Sequence, residues 1–291
     1  MTILTDIHGH GGGGHAFGDS VEGTLAAAAA HRSHGTGAMV ASLVSLPTAV
    51  LREQMAVVRE AMAEDPSLLG VHLEGPFLAP ARKGAHALGN LLDPSPEVVD
   101  GLITAADGLV RQVTIAPELP GALDAIERFV GAGIVVAVGH TEADAALARQ
   151  AFDRGATLLT HGFNAMRGIV GREIGPVGAA MDDPRVSIEL IADGIHLDPA
   201  LIAAVFRAAP GRVVLVTDAM AAAAASDGDY VLGDLAVEVR DGKAVLAGTD
   251  TIAGSTLTLA RAIEVCVAAG VERHDAVAAA SAVPRAVLGL D

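Results

Sequence analysis

The sequence predicts an α/β fold, a TIM-like (β/α)8 barrel, on three observations. Short apolar or β-branched runs alternate with longer, alanine-rich stretches of helical periodicity along the chain, which is the pattern of parallel βαβ units. Eight strand candidates can be counted, and eight such repeats close a barrel. A length of 291 residues suits one barrel domain, and 51% hydrophobic residues supply a large core. We therefore expect a single domain over residues 1–291.

The eight strand candidates are short runs of mostly apolar, often β-branched residues. In chain order they are Ile3–Ile7, Ala38–Leu43, Leu68–Leu73, Gln112–Ala116, Ile134–Val138, Thr157–Thr160, Val186–Ile191 and Val213–Val216. The stretches between and after them are alanine-rich and have helical periodicity. These helix candidates are Val21–Ser33, Ala49–Glu64, Pro96–Ala106, Leu123–Gly131, Glu142–Arg154, Val177–Met181, Pro199–Ala208, Leu257–Ala269 and His274–Ala282.

One segment after the eighth strand departs from this alternation. Tyr230–Val239 and Lys243–Ala247 alternate apolar and polar residues around the turn signal at Arg240–Gly242. This pattern predicts a β-hairpin insertion over the barrel mouth. The alanine run Ala221–Ala225 just before it is compatible with a nascent helix or with a mobile lid.

Charge and composition argue against several classes of partner. A net charge of −16 repels nucleic acid and anionic membrane surfaces. No apolar run approaches the length of a spanning helix, and the first ten residues lack the basic and apolar regions of a signal peptide. The single cysteine, Cys266, forms no intrachain disulfide. We expect a cytoplasmic protein with no nucleic-acid or membrane partner.

Polar residues collect where the predicted strands end, which is where barrels of this type carry their active sites. His8 and His10 share one face of the first strand because successive side chains alternate. A carboxylate at the end of an apolar strand is costly to desolvate unless a cation or donor cluster compensates it, and Glu74 is such a carboxylate. The residues that follow the later strands are His140, His161, His196 and Asp218.

This set of side chains predicts a divalent metal centre. Imidazole nitrogens with one carboxylate suit zinc or a related ion, and a catalytic site keeps one coordination position open for water. Water bound there ionises near neutral pH. Asp218, on the last strand, is expected to accept its proton and to return it later to a leaving group.

Seven motifs, distributed in order over nearly the whole chain, resemble one known family. They are VHLEGPFL, TIAPE, VAVGHTEA, THGFNAM, IADGIHLDP, VTDAM and TIAGSTLTL. The sequence is similar to the N-acetylglucosamine-6-phosphate deacetylases of the amidohydrolase superfamily. The resemblance implies a metal-dependent deacetylation that yields glucosamine 6-phosphate and acetate, catalysed by a homodimeric barrel enzyme of amino-sugar metabolism.

The resemblance also assigns metal ligands. Glu74, His140 and His161 match the three protein ligands of the family's main ion. His8 and His10 match the pair used by family members with two ions, whereas other members have different residues there and bind one. Because this chain keeps the pair, a second ion bridged through Glu74 is expected. Zinc is the first expectation, and iron, manganese and cobalt are alternatives.

Catalytic and substrate contacts follow from the same resemblance. Asp218 matches the general base, and His196 matches the residue that contacts substrate and polarises the amide carbonyl. The residues that resemble the family's sugar and phosphate contacts are His86, Asn164, Ala165 and Arg172. A guanidinium suits a phosphate dianion that approaches a chain of charge −16, although Arg172 could instead pair with Glu173.

The chain departs from the family pattern at both ends. Family members usually begin with several dozen residues of a small β-sandwich that the end of the chain completes. Here the first strand is predicted at Ile3 and the sequence ends at Asp291, so the small β-sandwich domain is expected to be absent. In the family's dimer, contacts from a neighbouring subunit can reach the phosphate, and a homodimer is expected here.

Two other functions compete with that of a phosphosugar deacetylase. A cyclic amidase would need a carbamylated lysine at the end of strand four, but the only lysines are Lys83 and Lys243, neither of which lies there. A catalytically inactive phosphosugar-binding regulator would need neither Asp218 nor the full ligand set. Within the deacetylase interpretation, the choice between N-acetylglucosamine 6-phosphate and a relative such as N-acetylgalactosamine 6-phosphate stays open, as does the number of ions.

Overall fold

A computed structural model describes residues 2–290 of the chain. Its strands are β1 (Leu4–Gly9), β2 (Gly11–Gly12), β3 (His15–Ala16), β4 (Thr36–Leu43), β5 (Leu68–Glu74), β6 (Val110–Ile115), β7 (Val135–Val138), β8 (Leu158–Leu159), β9 (Ser187–Ile191), β10 (Val213–Val216), β11 (Gly228–Leu232), β12 (Leu235–Arg240) and β13 (Lys243–Leu246). Its helices are α1 (Val21–Ser33), α2 (Thr48–Glu64), α3 (Pro96–Ala106), α4 (Ala122–Gly131), α5 (Ala145–Asp153), α6 (Gly175–Asp182), α7 (Pro199–Ala208), α8 (Leu259–Ala268), α9 (Arg273–Ala279) and α10 (Ala282–Val287), with 3-10 turns at Pro80–Arg82 and Leu88–Asn90.

The predicted barrel is confirmed. Eight parallel strands form one sheet in the order β1, β4, β5, β6, β7, β8, β9, β10, with helices in the connections. Backbone hydrogen bonds join its two outer strands at the carboxyl end. The amide of Asp218 donates to the carbonyl oxygen of His8 at 2.8 Å, and that of His10 donates to Ala219 at 2.7 Å. The first and last strands therefore present their terminal residues side by side.

The barrel interior is more polar than its outer layer. Strand side chains that face the helices pack with buried residues such as Leu51, Ile126 and Phe129 into the main apolar core. Inside the barrel lie fully buried polar side chains, namely Asp6, His8, His72, Gln112, Thr114 and Glu189. Because buried polar groups need hydrogen-bond partners, this interior fixes side-chain positions beneath the carboxyl-end rim.

Helix starts follow local capping chemistry. Ser95 accepts a hydrogen bond from the amide of Val98 at the start of α3, and Asp144 accepts one from Leu147 at the start of α5. The cap at Asp144 explains why α5 begins at Ala145, three residues later than the prediction from Glu142. The predicted limits of α1, α3, α7 and β10 agree with the structure.

The insertion after β10 is larger than a hairpin. β12 and β13 form the predicted antiparallel pair, and β11 adds a third strand. The single strand expected over Tyr230–Val239 is interrupted by a turn at Gly233, which has a positive φ of 56°. The run Ala221–Ala225 forms turns rather than a helix, and Ala222 belongs to the small apolar cluster under this sheet.

Within residues 2–290, the sheets are the barrel, the three-stranded insertion and the β2–β3 hairpin. In the same range, no helix combines the length and apolar character that a bilayer crossing requires. The assignment of residues 1–291 to one domain stays a prediction.

Candidate metal centre and active site

A cavity of about 300 Å³ opens at the carboxyl end of the barrel. Most of the side chains predicted from the sequence line it, namely His10, Glu74, His86, His140, His161, Asn164, Ala165, His196 and Asp218. They come from the ends of different strands and from the loops that follow them. The barrel topology has therefore gathered residues that are as much as 208 positions apart in sequence into one site.

Glu74, His140 and His161 form the first potential metal cluster. The Nε2 atoms of both histidines lie 3.1 Å from Oε1 of Glu74 and 3.0 Å from each other. All three residues are buried, with His140 the most exposed at 5%. Three nitrogen and oxygen donors converging on one point match the protein ligands of a catalytic divalent ion.

Hydrogen bonds on the far side of two imidazole rings show that these residues fit a cation. Nδ1 of His140 lies 2.7 Å from the carbonyl oxygen of Arg82. Nδ1 of His10 lies 3.2 Å from the carbonyl oxygen of Ser42. A carbonyl oxygen only accepts, so each Nδ1 carries a proton, and each ring, when neutral, turns a bare Nε2 lone pair toward Glu74. Lone pairs so close to a carboxylate need a positive charge between them.

His8, His10, Glu74 and Asp218 form a second cluster that shares Glu74 with the first. Nε2 of His10 lies 3.1 Å from Oε2 of Glu74 and 3.2 Å from Oδ1 of Asp218. Nε2 of His8 lies at 3.4 and 3.5 Å from the same two carboxylates and has no hydrogen-bond partner. Oε1 of Glu74 thus faces His8, His140 and His161, and Oε2 faces His10. Glu74 therefore belongs to both clusters, as a bridging carboxylate would.

The negative charges of the second cluster also need a compensating positive charge. Burial raises the pKa of Asp218, but hydrogen bonding from His10 and the nearby charge of His8 lower it overall to about 2. Burial lowers the pKa of His10, yet Asp218 and Glu74 raise it overall to about 9. The carboxylates therefore retain their negative charge and draw positive charge to the imidazoles. A divalent ion would supply the same compensation as protons on these rings.

Three of these residues have strained backbones. His140, His161 and Asp218 have positive φ angles of 48°, 27° and 48°. Left-handed conformations cost non-glycine residues on the order of 1–3 kcal/mol each and persist where surrounding contacts enforce them. At the ends of three different barrel strands, this strain turns the side chains inward to one cavity.

His86 is near Glu74 but is not arranged as a ligand. Its Nδ1 accepts a hydrogen bond from the amide of Ser45 at 3.2 Å. The neutral ring therefore carries its proton on Nε2, which faces Oε2 of Glu74 at 3.2 Å. Burial lowers the pKa of His86 to about 4, more than Glu74 raises it, so the ring is neutral near pH 7. Its predicted contact with substrate stays a prediction.

His196 is held by a carboxylate at the rim of the cavity. Its Nδ1 donates to Oδ2 of Asp193 at 2.7 Å, while Oδ1 of Asp193 accepts from the amides of Ile195 and His196, each at 2.8 Å. Burial raises the pKa of Asp193, but these hydrogen bonds and the charge of His196 lower it overall. The ionised Asp193 thereby fixes which nitrogen of His196 faces the cavity.

Arg172 is the predicted site residue that lies neither in the cavity lining nor in the two clusters, whereas His8 is buried behind the lining in the second cluster. Arg172 is exposed in the loop closed by the bridge between Val170 and Glu173. The arginine that lines the cavity is Arg82, which pairs with Glu142 and whose carbonyl oxygen accepts from His140. The role of Arg172 at the phosphate stays a prediction.

Glu189 is a site residue that the sequence analysis missed. It lies in β9, is fully buried, and accepts a hydrogen bond from Nδ1 of His8 at 2.9 Å. The signal was present, because an acid within the apolar run Ser187–Ile191 raises the same desolvation problem as Glu74.

Comparison with known proteins is consistent with this geometry. Residues 4–291 match the model of the Amidohydrolase family. The N-acetylglucosamine-6-phosphate deacetylase of Vibrio furnissii is 36% identical over 268 residues, which cover 91% of this chain and 67% of that protein. The N-acetylgalactosamine-6-phosphate deacetylase of Escherichia coli O157:H7 is 36% identical over 291 residues, which cover 98% of this chain and 77% of that protein.

A solved structure is similar over almost the whole chain. It is a variant of the N-acetyl-D-glucosamine-6-phosphate deacetylase from Mycobacterium smegmatis in complex with N-acetyl-D-glucosamine-6-phosphate. It is 44% identical, has a TM-score of 0.94, and covers 99% of this chain and 77% of its own. The chain is a hydrolase that belongs to the amidohydrolase family.

Proposed function

We propose that the chain hydrolyses the N-acetyl amide of N-acetylglucosamine 6-phosphate, giving glucosamine 6-phosphate and acetate. Several relatives that it matches carry this activity in their names, and a structural neighbour at 44% identity holds that phosphosugar. The observation that carries the proposal is the placement of the ligand cluster Glu74, His140 and His161 in the same cavity as Asp218.

The donor set also supports a metal cofactor. Glu74, His140 and His161 would hold one divalent ion, and His8, His10, Glu74 and Asp218 a second. Zinc is the proposed ion because it suits imidazole and carboxylate donors, with iron, manganese and cobalt as alternatives. Such an ion, when bound, supplies Lewis acidity toward the amide carbonyl and lowers the pKa of water.

Asp218 is the proposed general base. Its lowered pKa of about 2 keeps it ionised at neutral pH, so it can accept a proton from the attacking water. The protonated carboxyl then delivers that proton to the amine that leaves. The position of Asp218 on the cavity wall, next to both Glu74-centred clusters, allows both transfers.

His196 is the proposed contact to the acetamide oxygen. Because its Nδ1–H is directed at Asp193, a protonated ring presents Nε2–H to the cavity, where the carbonyl oxygen gains negative charge during attack. A donor already oriented in this way loses little freedom as the reaction proceeds.

The remaining substrate contacts belong to the same proposal. Asn164, Ala165 and His86 line the cavity and are proposed to contact the sugar. Arg172 is proposed to contact the phosphate, from its exposed loop or from a second copy of the chain. A cytoplasmic homodimer is proposed accordingly, and light scattering on the purified protein tests its oligomeric state.

A second candidate substrate is N-acetylgalactosamine 6-phosphate. The relative that carries this substrate in its name matches 98% of the chain at 36% identity, the same identity as the Vibrio furnissii protein. The two sugars differ at one hydroxyl group. A regulator without activity is a poorer interpretation, because it would need neither Asp218 nor the two ligand clusters.

The test is acetate release, measured by proton NMR with the full chain reconstituted separately with zinc, iron, manganese and cobalt. The substrates are the two N-acetylhexosamine 6-phosphates and unphosphorylated N-acetylglucosamine. We expect the highest kcat/KM for N-acetylglucosamine 6-phosphate. In Asp218→Asn, kcat should fall by about 10²- to 10⁴-fold, the usual contribution of general acid–base catalysis.

Acetate release from none of the sugars under these metal-replete conditions would reject the deacetylase proposal. Preference for the galacto sugar would replace the first substrate by the second. Asp218→Asn with the wild-type kcat would reject the role of this carboxylate as general base.

A further inference from the structure

Glu189 connects the two metal clusters through one carboxylate oxygen. Its Oε2 accepts from Nδ1 of His8 at 2.9 Å and from the backbone amide of His161 at 3.1 Å. Its Oε1 accepts from Nε2 of Gln112 at 2.8 Å. His8 belongs to the second cluster and His161 to the first, so both depend on the position of Glu189.

The burial of Glu189 makes these contacts costly to lose. Glu189, His8 and Gln112 are each 0% exposed in the barrel interior. A buried carboxylate must be compensated by donors, and a donor whose buried acceptor is removed is left with its full desolvation cost. The hydrogen bonds therefore hold Glu189 and its partners in one geometry.

The contact with His8 sets which nitrogen can act as a ligand. A carboxylate accepts, so Nδ1 of His8 carries the proton. Nε2 of His8, which has no hydrogen-bond partner, faces Glu74 and Asp218, and it offers a bare lone pair to a metal ion when the ring is neutral. Metal-binding histidines are commonly held in this way by a carboxylate on their other nitrogen, which fixes the tautomer and ring orientation.

The contact with His161 acts on the backbone. His161 has a φ of 27°, a conformation that a non-glycine residue holds only when neighbouring contacts enforce it. The hydrogen bond from its amide to Oε2 of Glu189 is one such contact. It helps to direct the side chain of His161 toward Glu74 and His140.

We infer that Glu189 is a positioning residue for a two-ion centre, holding the ring of His8 for the second ion and the backbone of His161 for the first. The inference rests on the metal-dependent function proposed above. Replacing Glu189 should therefore weaken binding of the second ion more than binding of the first. The reason is that His8 depends on Glu189 for its side-chain orientation, whereas His161 depends on it only through the backbone.

Two substitutions separate the hydrogen bonds of Glu189 from its charge. Glu189→Leu removes both. Glu189→Gln removes the charge but can keep the contacts, because Oε1 of Gln112 has no partner and a flipped Gln112 amide could accept from the new side-chain NH2. The matched control is Gln112→Met, which removes the hydrogen bond to Oε1 of Glu189 and leaves Oε2, the oxygen that accepts from His8 and His161, unchanged.

The full chain is first freed of metal with a chelator. Zinc binding is then measured by calorimetric titration, and cobalt binding by the visible absorption after each added equivalent. Thermal melting checks that each variant is folded. We expect two ions in the wild type. In Glu189→Leu the Kd of the second ion should rise by about 100-fold and that of the first by about 10-fold, within the range found for residues that orient metal ligands.

In Glu189→Gln the Kd of the second ion should rise by about 10-fold, and the cobalt spectrum of the first ion should be unchanged. This variant decides the test if Glu189→Leu does not fold. Gln112→Met should change neither Kd more than about 3-fold, well below the 10-fold lower limit for residues that orient metal ligands. Wild-type Kd values in the folded Glu189 variants, equal losses in Gln112→Met, or a single ion in the wild type would overturn the inference. The proposed function fails separately, if metal-loaded wild type releases no acetate.

Discussion

The Nε2 atoms of His140 and His161 lie 3.0 Å apart, and both face one oxygen of Glu74. Because Nδ1 of His140 donates a hydrogen bond to the carbonyl oxygen of Arg82, Nε2 carries a lone pair rather than a proton when the ring is neutral. Such an arrangement is stable with a cation between the donors. This relationship, more than the presence of any one histidine, supports the proposed metal centre.

Replacing Glu74 should remove metal from both clusters. Its Oε1 faces His140 and His161, and its Oε2 faces His10, so Glu74→Gln removes the negative charge that both ions would share. We expect less than one equivalent of zinc after dialysis, by elemental analysis. Acetate release should fall by at least about 10³-fold, because metal chemistry supplies several kcal/mol of transition-state stabilisation.

The matched control is Glu238→Gln, the same change at a half-buried position on β12, in the insertion. It should retain the wild-type metal content and rate. Full zinc content in Glu74→Gln would show that Glu74 is not a ligand.

Replacing Asp193 should impair turnover without removing metal. In Asp193→Asn the charge-assisted hydrogen bond that orients the ring of His196 is lost, so Nε2 is held less firmly toward the cavity and the proposed contact to the carbonyl oxygen weakens. We expect kcat to fall by about 10- to 100-fold, consistent with a loss of one charge-assisted hydrogen bond, with zinc content unchanged. Steady-state kinetics and elemental analysis measure both. Loss of zinc in this variant would contradict the assigned role.

The same carboxylate gives a pH dependence of stability. The pKa of Asp193 is lower in the folded protein than the usual value of about 4, so its stabilising contribution is present above that value and is lost as the pH falls through the lowered pKa. Urea unfolding of wild type and Asp193→Asn should therefore differ at pH 6 and converge in acid. A difference that grows in acid would contradict this sign.

Replacing Arg172 tests the phosphate contact expected from the sequence. Arg172→Ala should raise KM for the phosphosugar by about 10-fold or more, the value of a lost charge-assisted hydrogen bond, with little change in kcat. Arg167→Ala in the same loop is the matched control, since Arg167 is about half exposed and lies 3.9 Å from Glu142. If Arg82→Ala raises KM and Arg172→Ala does not, the phosphate binds on the Arg82 side of the cavity.

Cys266 should report global unfolding. It is fully buried in α8, and burial raises the pKa of its thiol to about 12, so the reactive thiolate is scarce at pH 8. We expect iodoacetamide to modify the native protein very slowly and the urea-unfolded protein rapidly, by mass spectrometry. Rapid modification of the native protein would show that α8 opens locally.

The sequence predicted which residues converge where their positions follow from the alternation of side chains along a strand. His8 and His10 share a face because of the two-residue period, and the barrel topology places strand ends at one rim, so convergence followed from the fold class. Glu189 poses the same desolvation problem as Glu74, but its role could not be predicted because its donors, His8, Gln112 and the amide of His161, come from other barrel strands and their loops.

Other differences arose from turns and from contacts distant in sequence. The turn at Gly233 divides the segment that the apolar–polar alternation predicted as one strand. Glycine readily adopts the positive φ of this turn, but the alternation does not show where such a turn falls. The position of Arg82 at the cavity depends on the conformation of a long loop after β5. Such loops lack the periodicity on which sequence prediction relies.

We propose that Glu74, His140 and His161 bind one divalent ion. Anomalous X-ray scattering at the zinc edge, from crystals of the zinc-loaded full chain, can locate that ion. We expect an anomalous peak about 2.0–2.2 Å from the two Nε2 atoms and from a Glu74 oxygen, the usual zinc–ligand distances. Zinc-loaded crystals with no anomalous peak between these three side chains would contradict it.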